Sequence, residues 1–418
     1  MKGENNILLF GEFLGVVDHA DSSTGFDLHW ETEDKTLIRD ISASSRTIVI
    51  VLNDGTSYSL GFNASGQLGI GSLAFCASFT KVSSSTPFDL VTCGTNFTIW
   101  RSSTTDEIFV SGLGFNSCPR RFIMTNNNGK SLKVLSMDSY DDSFAAIEES
   151  GIVYLWPHFT SSNTTNSNND NLEINGFITC LLPSKPSEIS CGNGFASILS
   201  NGYVFRVLND GSFYPLLNIK NSLHYLSFSS QIGTSNISSI SSAPMSPSSA
   251  SSTISHSNPN FTSTDSNSPY SPPPLAASVK SSADYSIVLD SEGSVWLYGT
   301  IGGLNRHIEN VPIARGMKSI FAMNNFCAFV NNIGVTYTFG LNDSGQLADG
   351  SKTKRTRVVE TKVEKPVISV VGGRTFSVFV CNQFDSSLFE VNMDEFVPGH
   401  MNCPFEKAED MIDATTTP

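Results

Sequence analysis

An all-β chain made of about seven small units is what this sequence predicts, and three observations carry the prediction. Helical periodicity is almost absent. Short apolar runs punctuated by Gly turns recur along the chain. They recur roughly every fifty residues, and a fixed period of that size marks a repeat array.

The first recurring element is a hairpin with an aromatic residue three positions after a glycine. The pairs are Gly55 with Tyr58, Gly151 with Tyr154, Gly202 with Phe205, Gly293 with Trp296, and Gly334 with Tyr337. Glycine accepts φ > 0 without a Cβ clash, so these positions read as tight turns between strands. A sixth copy keeps Phe109 but has Asp106 where glycine is expected. A seventh, TFSVFVCNQFDSSLFEV, keeps only the shape.

The second element lies upstream of each hairpin: an apolar strand, a turn of small residues, then an anchor. DLVTCGTNF, SEISCGNGF, KSIFAMNNF and ISVVGGRTF end on Phe97, Phe195, Phe326 and Phe376, with Thr47, Ser143 and Tyr285 as equivalents. The anchors are 41 to 52 residues apart, except for one step of 90, which is one period plus an insert. Residues 229–274 hold eighteen Ser and seven Pro with Asp265 as the single charge, a composition that buries too little apolar surface to offset ordering. That stretch is expected to be a disordered loop, and so is the polar tract 161–171.

A sharper motif follows two hairpins. Residues 61–71 read GFNASGQLGIG and residues 340–350 read GLNDSGQLADG. Here the sequence resembles the regulator of chromosome condensation repeat family, well over 38–71 and 316–350 and partially over the rest of 85–380. The resemblance implies a seven-bladed β-propeller, each blade a four-stranded sheet around a central axis. Residues 6–15 look like the last strand of a repeat whose earlier strands are missing, and the final repeat, 365–391, has a poor end. The N-terminal strand is therefore expected to complete the C-terminal blade and leave no edge unpaired. The expected organisation is one propeller over 1–391 and an acidic tail over 392–418.

Composition narrows the function classes. The 418 residues carry a net charge of −14 and only 15% charged residues, against about 25% in ordinary domains. The acidic balance argues against general nucleic-acid binding, which needs many Lys and Arg. No apolar run approaches the ~18 residues of a membrane helix, so no membrane insertion is expected. The N-terminal apolar patch is too short for a signal peptide. The eight cysteines include no CxxC pair, which argues against structural zinc and for reduced thiols. An intracellular monomer follows as the expectation, with the cytoplasm favoured over the nucleus.

Candidates for chemistry are few. Gly61, Asn63, Gly66, Gln67, Leu68 and Gly69, with Gly340, Asn342, Gly345, Gln346 and Leu347, could suggest a phosphate cradle. No Lys or helical pattern follows either glutamine, as a P-loop requires. The structural reading is simpler: glycines for tight backbone, Leu68 in the inter-blade core, Gln67 bridging neighbouring turns. The second copy has Ala348 and Asp349 in place of the pattern's glycine, which leaves its last turn open. The seven His stand singly, at no metal or triad spacing. Asp141-Asp142 and Glu148-Glu149 flank a predicted strand and read as solvated loop charges. No catalytic residue, metal or cofactor is expected.

Two segments point to regulation or docking. Residues 351–365 form a basic stretch, with Lys352, Lys354, Arg355 and Arg357 as a candidate docking loop on a connection between blades; a solvated loop is the simpler reading. Ser246, Ser268 and Ser271 each precede Pro and are candidate phosphorylation sites in the insert; an inert spacer is the simpler reading. Two functions fit this sequence. One is a non-enzymatic platform that binds a protein partner through propeller-face loops. The other, the activity of the family's founding member, is guanine-nucleotide exchange on a Ran-like small GTPase. The platform is favoured, because no exchange-specific loop can be matched. Residues 1–40 and 385–418 carry −6 and −7 of the net charge. If the two ends meet at the closing blade, an acidic patch forms there and a basic partner segment is its natural ligand.

Overall fold

The computed structural model describes residues 6–13, 15, 25–28, 37–113, 116–123, 133–160, 164–166, 172–174, 177–216, 275–302, 304–305 and 312–381. Strands and turns account for the described residues, with no helix among them. The strands form seven sheets. Blade one spans 38–81, two 88–123, three 134–180, four 186–215, five 276–305 and six 317–360. Blade seven joins 367–381 to 6–27. The first strand of each blade touches the first strand of the next, and that of blade seven touches blade one, which closes the ring. The fold is a seven-bladed β-propeller.

Blade one shows the plan: Ile38–Ala43, Thr47–Leu52, Ser57–Gly61 and Cys76–Lys81 in antiparallel order. Every expected anchor starts a second strand, from Thr47–Leu52 through Phe97–Ser102 to Phe376–Cys381. Blades pack face to face, so a second strand is covered on both sides. This is why TIVIVL and YSIVLD read as continuous apolar runs rather than alternating ones, and both are buried end to end. The core is a series of inter-blade layers. One joins Ile48, Ile50 and Leu60 of blade one to Ile7, Leu9, Phe376 and Val378 of blade seven.

The predicted hairpins are present. Gly55 has φ 84°, and a Cβ there would sit 2.5 Å from the Pro87 side chain. Asp106 takes the same left-handed conformation (φ 57°) in the copy that lacks glycine, a conformation Asp tolerates better than most residues. The aromatic residues face second-strand partners: Tyr58 pairs with Ile50, Phe109 with Trp100, and Tyr337 with Phe329. All seven first strands carry a register shift near their start, as between Ile38 and Asp40 or Val367 and Ser369. A bulge at one phase of every repeat bends each inner strand alike, as a closed ring needs.

The alternation of strand directions defines two faces. The turns between first and second strands, and the loops between third and fourth, lie on the turn face. The hairpins between second and third strands, and the links between blades, lie on the hairpin face.

Closure uses more of the N-terminus than the sequence suggests. Asn6–Gly11 is the third strand of blade seven, in register with Phe376–Cys381 over six pairs, and Phe26–Asp27 is the fourth. Phe10 meets Phe379 edge-on at 5.3 Å, and Phe13 packs on Phe376 at 4.5 Å. The tract 161–171, expected to be a loop, contains a strand, Thr164–Asn166. It pairs with Leu172–Ile174, which adds in parallel to Asn116–Ile123 of blade two. A connection of blade three thus extends the sheet of its neighbour. The insert 229–274 and the tail boundary at 391 lie outside the described residues; Met1–Asn382 forms one compact unit.

Candidate functional site

The two motif copies fold alike. Asn63 Oδ1 accepts the Leu68 N–H at 2.9 Å while its Nδ2 donates to the Ser72 carbonyl at 2.8 Å. Asn342 does the same with Leu347 and Ser351, at 2.9 Å each. Gln67 Oε1 accepts from the Ser65 N–H at 3.0 Å, and its Nε2 donates to Thr95 O, in the turn of the next blade, at 3.4 Å. Gln346 repeats this with Ser344 and Arg374 at the same distances. Leu68 and Leu347 are fully buried. Ala348 keeps the left-handed turn of Gly69 (φ 56° against 68°), so the second copy closes as the first does. Asp349 becomes a buried ligand for Arg355 and Ser351, which hold its carboxyl below the usual range. The motif's asparagines are thereby committed to shaping their own loop, and its glutamines to joining that loop to the next blade.

The basic stretch is divided among separate tasks. Arg355 and Arg357 stand in the outermost strand of blade six, Arg355–Glu360, not on a connecting loop. Arg355 is tied to Asp349. Lys354 donates to Gly302 O of blade five at 2.6 Å, and Lys352 lies 3.5 Å from Glu12 of blade seven. Asp142 pairs with His158 at 2.9 Å, and Asp141 accepts from Thr95 at 2.5 Å. The phosphorylation candidates Ser246, Ser268 and Ser271 and both charged termini lie outside the described residues, apart from Glu12, Asp27, Arg39 and Asp40.

Sequence reading missed the shaft. In blades one to five the first strands place a polar residue five positions before the anchor, Ser42, Thr92, Asp138, Ser190 and Lys280, whereas blades six and seven have Phe321 and Val371 there. Sheets arranged radially do not continue one another's ladders, so inner N–H groups need side-chain acceptors. Asp40 accepts from Val91 N–H at 2.8 Å, Asp138 from Cys191 N–H at 2.8 Å and Glu188 from Val279 N–H at 3.0 Å. Each bond reaches from one blade to the next. Lys280 closes on Glu188 at 2.7 Å. Burial pushes the Asp40 carboxyl up to about 6 and raises Asp138 as well, in spite of these N–H groups. Burial also pushes the Cys93 thiol up to about 12 and raises Cys191 and Cys327, which leaves them protonated and weak nucleophiles.

At the turn-face end, one side chain crosses the shaft. Tyr140 of blade three reaches Asn324 of blade six, whose Nδ2 donates to its hydroxyl at 2.9 Å. Among the described residues, no group of His, Cys, Asp or Glu is placed to hold a metal. Carboxylates already engaged by backbone N–H groups serve to fasten blades.

Comparison with known proteins agrees with this architecture. The model of the regulator of chromosome condensation (RCC1) repeat matches residues 334–380, from the hairpin of blade six through the second strand of blade seven. No curated protein matches the sequence. Among solved structures, human WBSCR16 is similar over 91% of this chain and all of its own, with a TM-score of 0.63 and 13% identity. Prp20p from Saccharomyces cerevisiae, described with its binding properties to Gsp1p and histones, is similar over 94% of this chain and 95% of its own, with a TM-score of 0.59 and 12% identity. Yeast RCC1 (Prp20), solved bound to Kap60, gives a TM-score of 0.60 at 12% identity, over 94% of this chain and 92% of its own.

Proposed function

We propose that this chain, a seven-bladed β-propeller whose residues 334–380 match the regulator of chromosome condensation repeat model, is a protein-binding platform that engages its partner through propeller-face loops. The observation that carries this reading is where the chemistry of the recurring motif goes. Asn63, Gln67, Asn342 and Gln346 spend their polar groups on the scaffold, as do the shaft carboxylates. What varies from blade to blade, and stays exposed, is the set of turns and loops on the two faces. Variable loops on a rigid frame are the usual seat of recognition. The solved relatives support the reading, since yeast RCC1 (Prp20) was captured with a protein, Kap60, bound to it.

The test is site-specific photocrosslinking in cells. A photoreactive residue at Asn193 on the turn face, at Glu292 on the hairpin face, or at Thr80 in an outer strand reports what lies within reach. A platform captures one partner reproducibly through a face position and not through Thr80. Capture through Thr80 alone contradicts it. Exchange on a Ran-like GTPase is a second reading, favoured by the binding of Gsp1p described for Prp20p. Mixing the protein with a Ran-like GTPase loaded with fluorescent nucleotide decides this: accelerated release supports exchange, and an unchanged rate removes it.

A further inference from the structure

The turn face carries its charge unevenly. Over blades three to five its exposed charges are Asp141, Asp142, Asp210 and Asp284, with no Lys or Arg among the described residues of those turns and loops. Over blades six, seven and one, the exposed cations Lys352, Arg374 and Arg46 follow one another, and among the described residues of those turns and loops Asp343 is the exposed acid, with half-buried Glu12 paired to Lys352.

These three cations are contiguous although they come from different blades. A Cβ on Gly373 would lie 2.8 Å from Ser44 O and 2.9 Å from Ser45 Cα, so the turns bearing Arg374 and Arg46 touch. Thr375 donates to Glu12 O at 2.8 Å, and Glu12 meets Lys352 at 3.5 Å, which ties the third cation to the same turn. The backbones are fixed. Gln346 holds Arg374 O, and Phe62 N–H donates to Arg46 O at 2.9 Å. The Arg46 guanidinium lies over the Phe62 ring, 5.2 Å from its centre. Among the described residues, neither arginine makes an ion pair. Two arginines on touching turns repel each other until an anion joins them. The middle of the face is bridged: Tyr140 spans the shaft mouth to Asn324, whose Nδ2 donates to its hydroxyl at 2.9 Å.

We propose that the ridge Arg46–Arg374–Lys352 is a docking site for an Asp/Glu-rich segment of a protein partner, and that the acidic arc across the face fixes the direction in which that segment lies. This rests on the platform reading and names its face and the chemistry of its ligand. Charge complementarity selects the occupant. A nucleic acid fits less well, because its phosphate chain needs many cations in a row and would run from three of them into four carboxylates.

The experiment uses the full chain and a fluorescein-labelled ten-residue peptide of alternating Glu and Asp, followed by anisotropy at low ionic strength. The triple variant R46Q/R374Q/K352Q is compared with K185Q/K318Q/K365Q, which removes equal charge near the hairpin face. Melting curves confirm that both are folded. The expected result is binding that weakens at least about ten-fold in the first variant, under about two-fold in the second, and declines with added salt. Failure of the wild type to bind, equal weakening in both variants, or tighter binding of a ten-nucleotide single-stranded DNA overturns the proposal. If the first variant loses the peptide yet still crosslinks its cellular partner through Asn193, the ridge is not the partner's site while the platform stands. If crosslinking through both faces fails as well, the platform reading falls with it.

Discussion

Gln67 and Gln346 each do two things with one amide: they cap a turn of their own blade and hold the turn of the next. Replacing either with Ala strands an N–H and a carbonyl at a blade junction. We expect Gln67→Ala and Gln346→Ala each to lower stability by about 1–2 kcal/mol in urea titrations, with no effect on the solubility of the folded chain. A loss below a few tenths would mean that water replaces the amide freely. These residues were legible in the sequence because Gly-Gln-Leu appears twice in one register. Tyr140 was not legible. Its role depends on reaching across the ring to Asn324, 184 positions away, and a single chain read linearly gives no sign of such a pair. Arg46 and Arg374 were missed for the same reason, since only the closed ring brings their turns together. The basic stretch at 351–365 erred the other way: it is dense in sequence, but its side chains point to three different blades.

At the scale of the element, the first strands set the pH behaviour. Asp40 has its carboxyl pushed up to about 6 by burial, from an ordinary value of 3.8. A carboxyl raised in the folded state holds its proton more tightly there than in the unfolded chain. Its contribution to stability is therefore full below about pH 4 and is lost as pH rises through about 6. Asp138 shifts in the same direction. Asp40→Asn keeps an acceptor for Val91 N–H and removes the titration. Between pH 4 and 6.5 the wild type should lose about 1–2 kcal/mol relative to Asp40→Asn, a span kept below the full shift because Asp40 is only half-buried and solvent screens its charge. Parallel stability curves over that range would refute the assignment. The second strands and hairpins were predictable from apolar runs, Gly turns and aromatic positions. The polar phase of the first strands was visible too, but its meaning needs the shaft, where N–H groups of one blade look for acceptors on the previous one.

The described residues form a ring closed within blade seven by both ends of the propeller, and both candidate binding faces exist only while it is closed. Blade seven takes two strands from residues 367–381 and two from the N-terminus. The turns that carry Arg374 and Arg46 touch beside that closure, next to Glu12. The seven-unit count came from the spacing of the anchors, and the missing end of the last repeat pointed to the first residues of the chain. Phe26–Asp27 as the outermost strand could not be read, because two residues carry no periodic signal. Deleting residues 1–16 tests closure most directly. It removes the strand Asn6–Gly11 together with Ile7, Leu9, Phe10 and Phe13 from the core. The truncated chain should lose more than about 5 kcal/mol, enough to unfold or to broaden the transition as the ring opens. A truncated chain that melts cooperatively at the temperature of the parent would show that the N-terminal strand does not close the propeller.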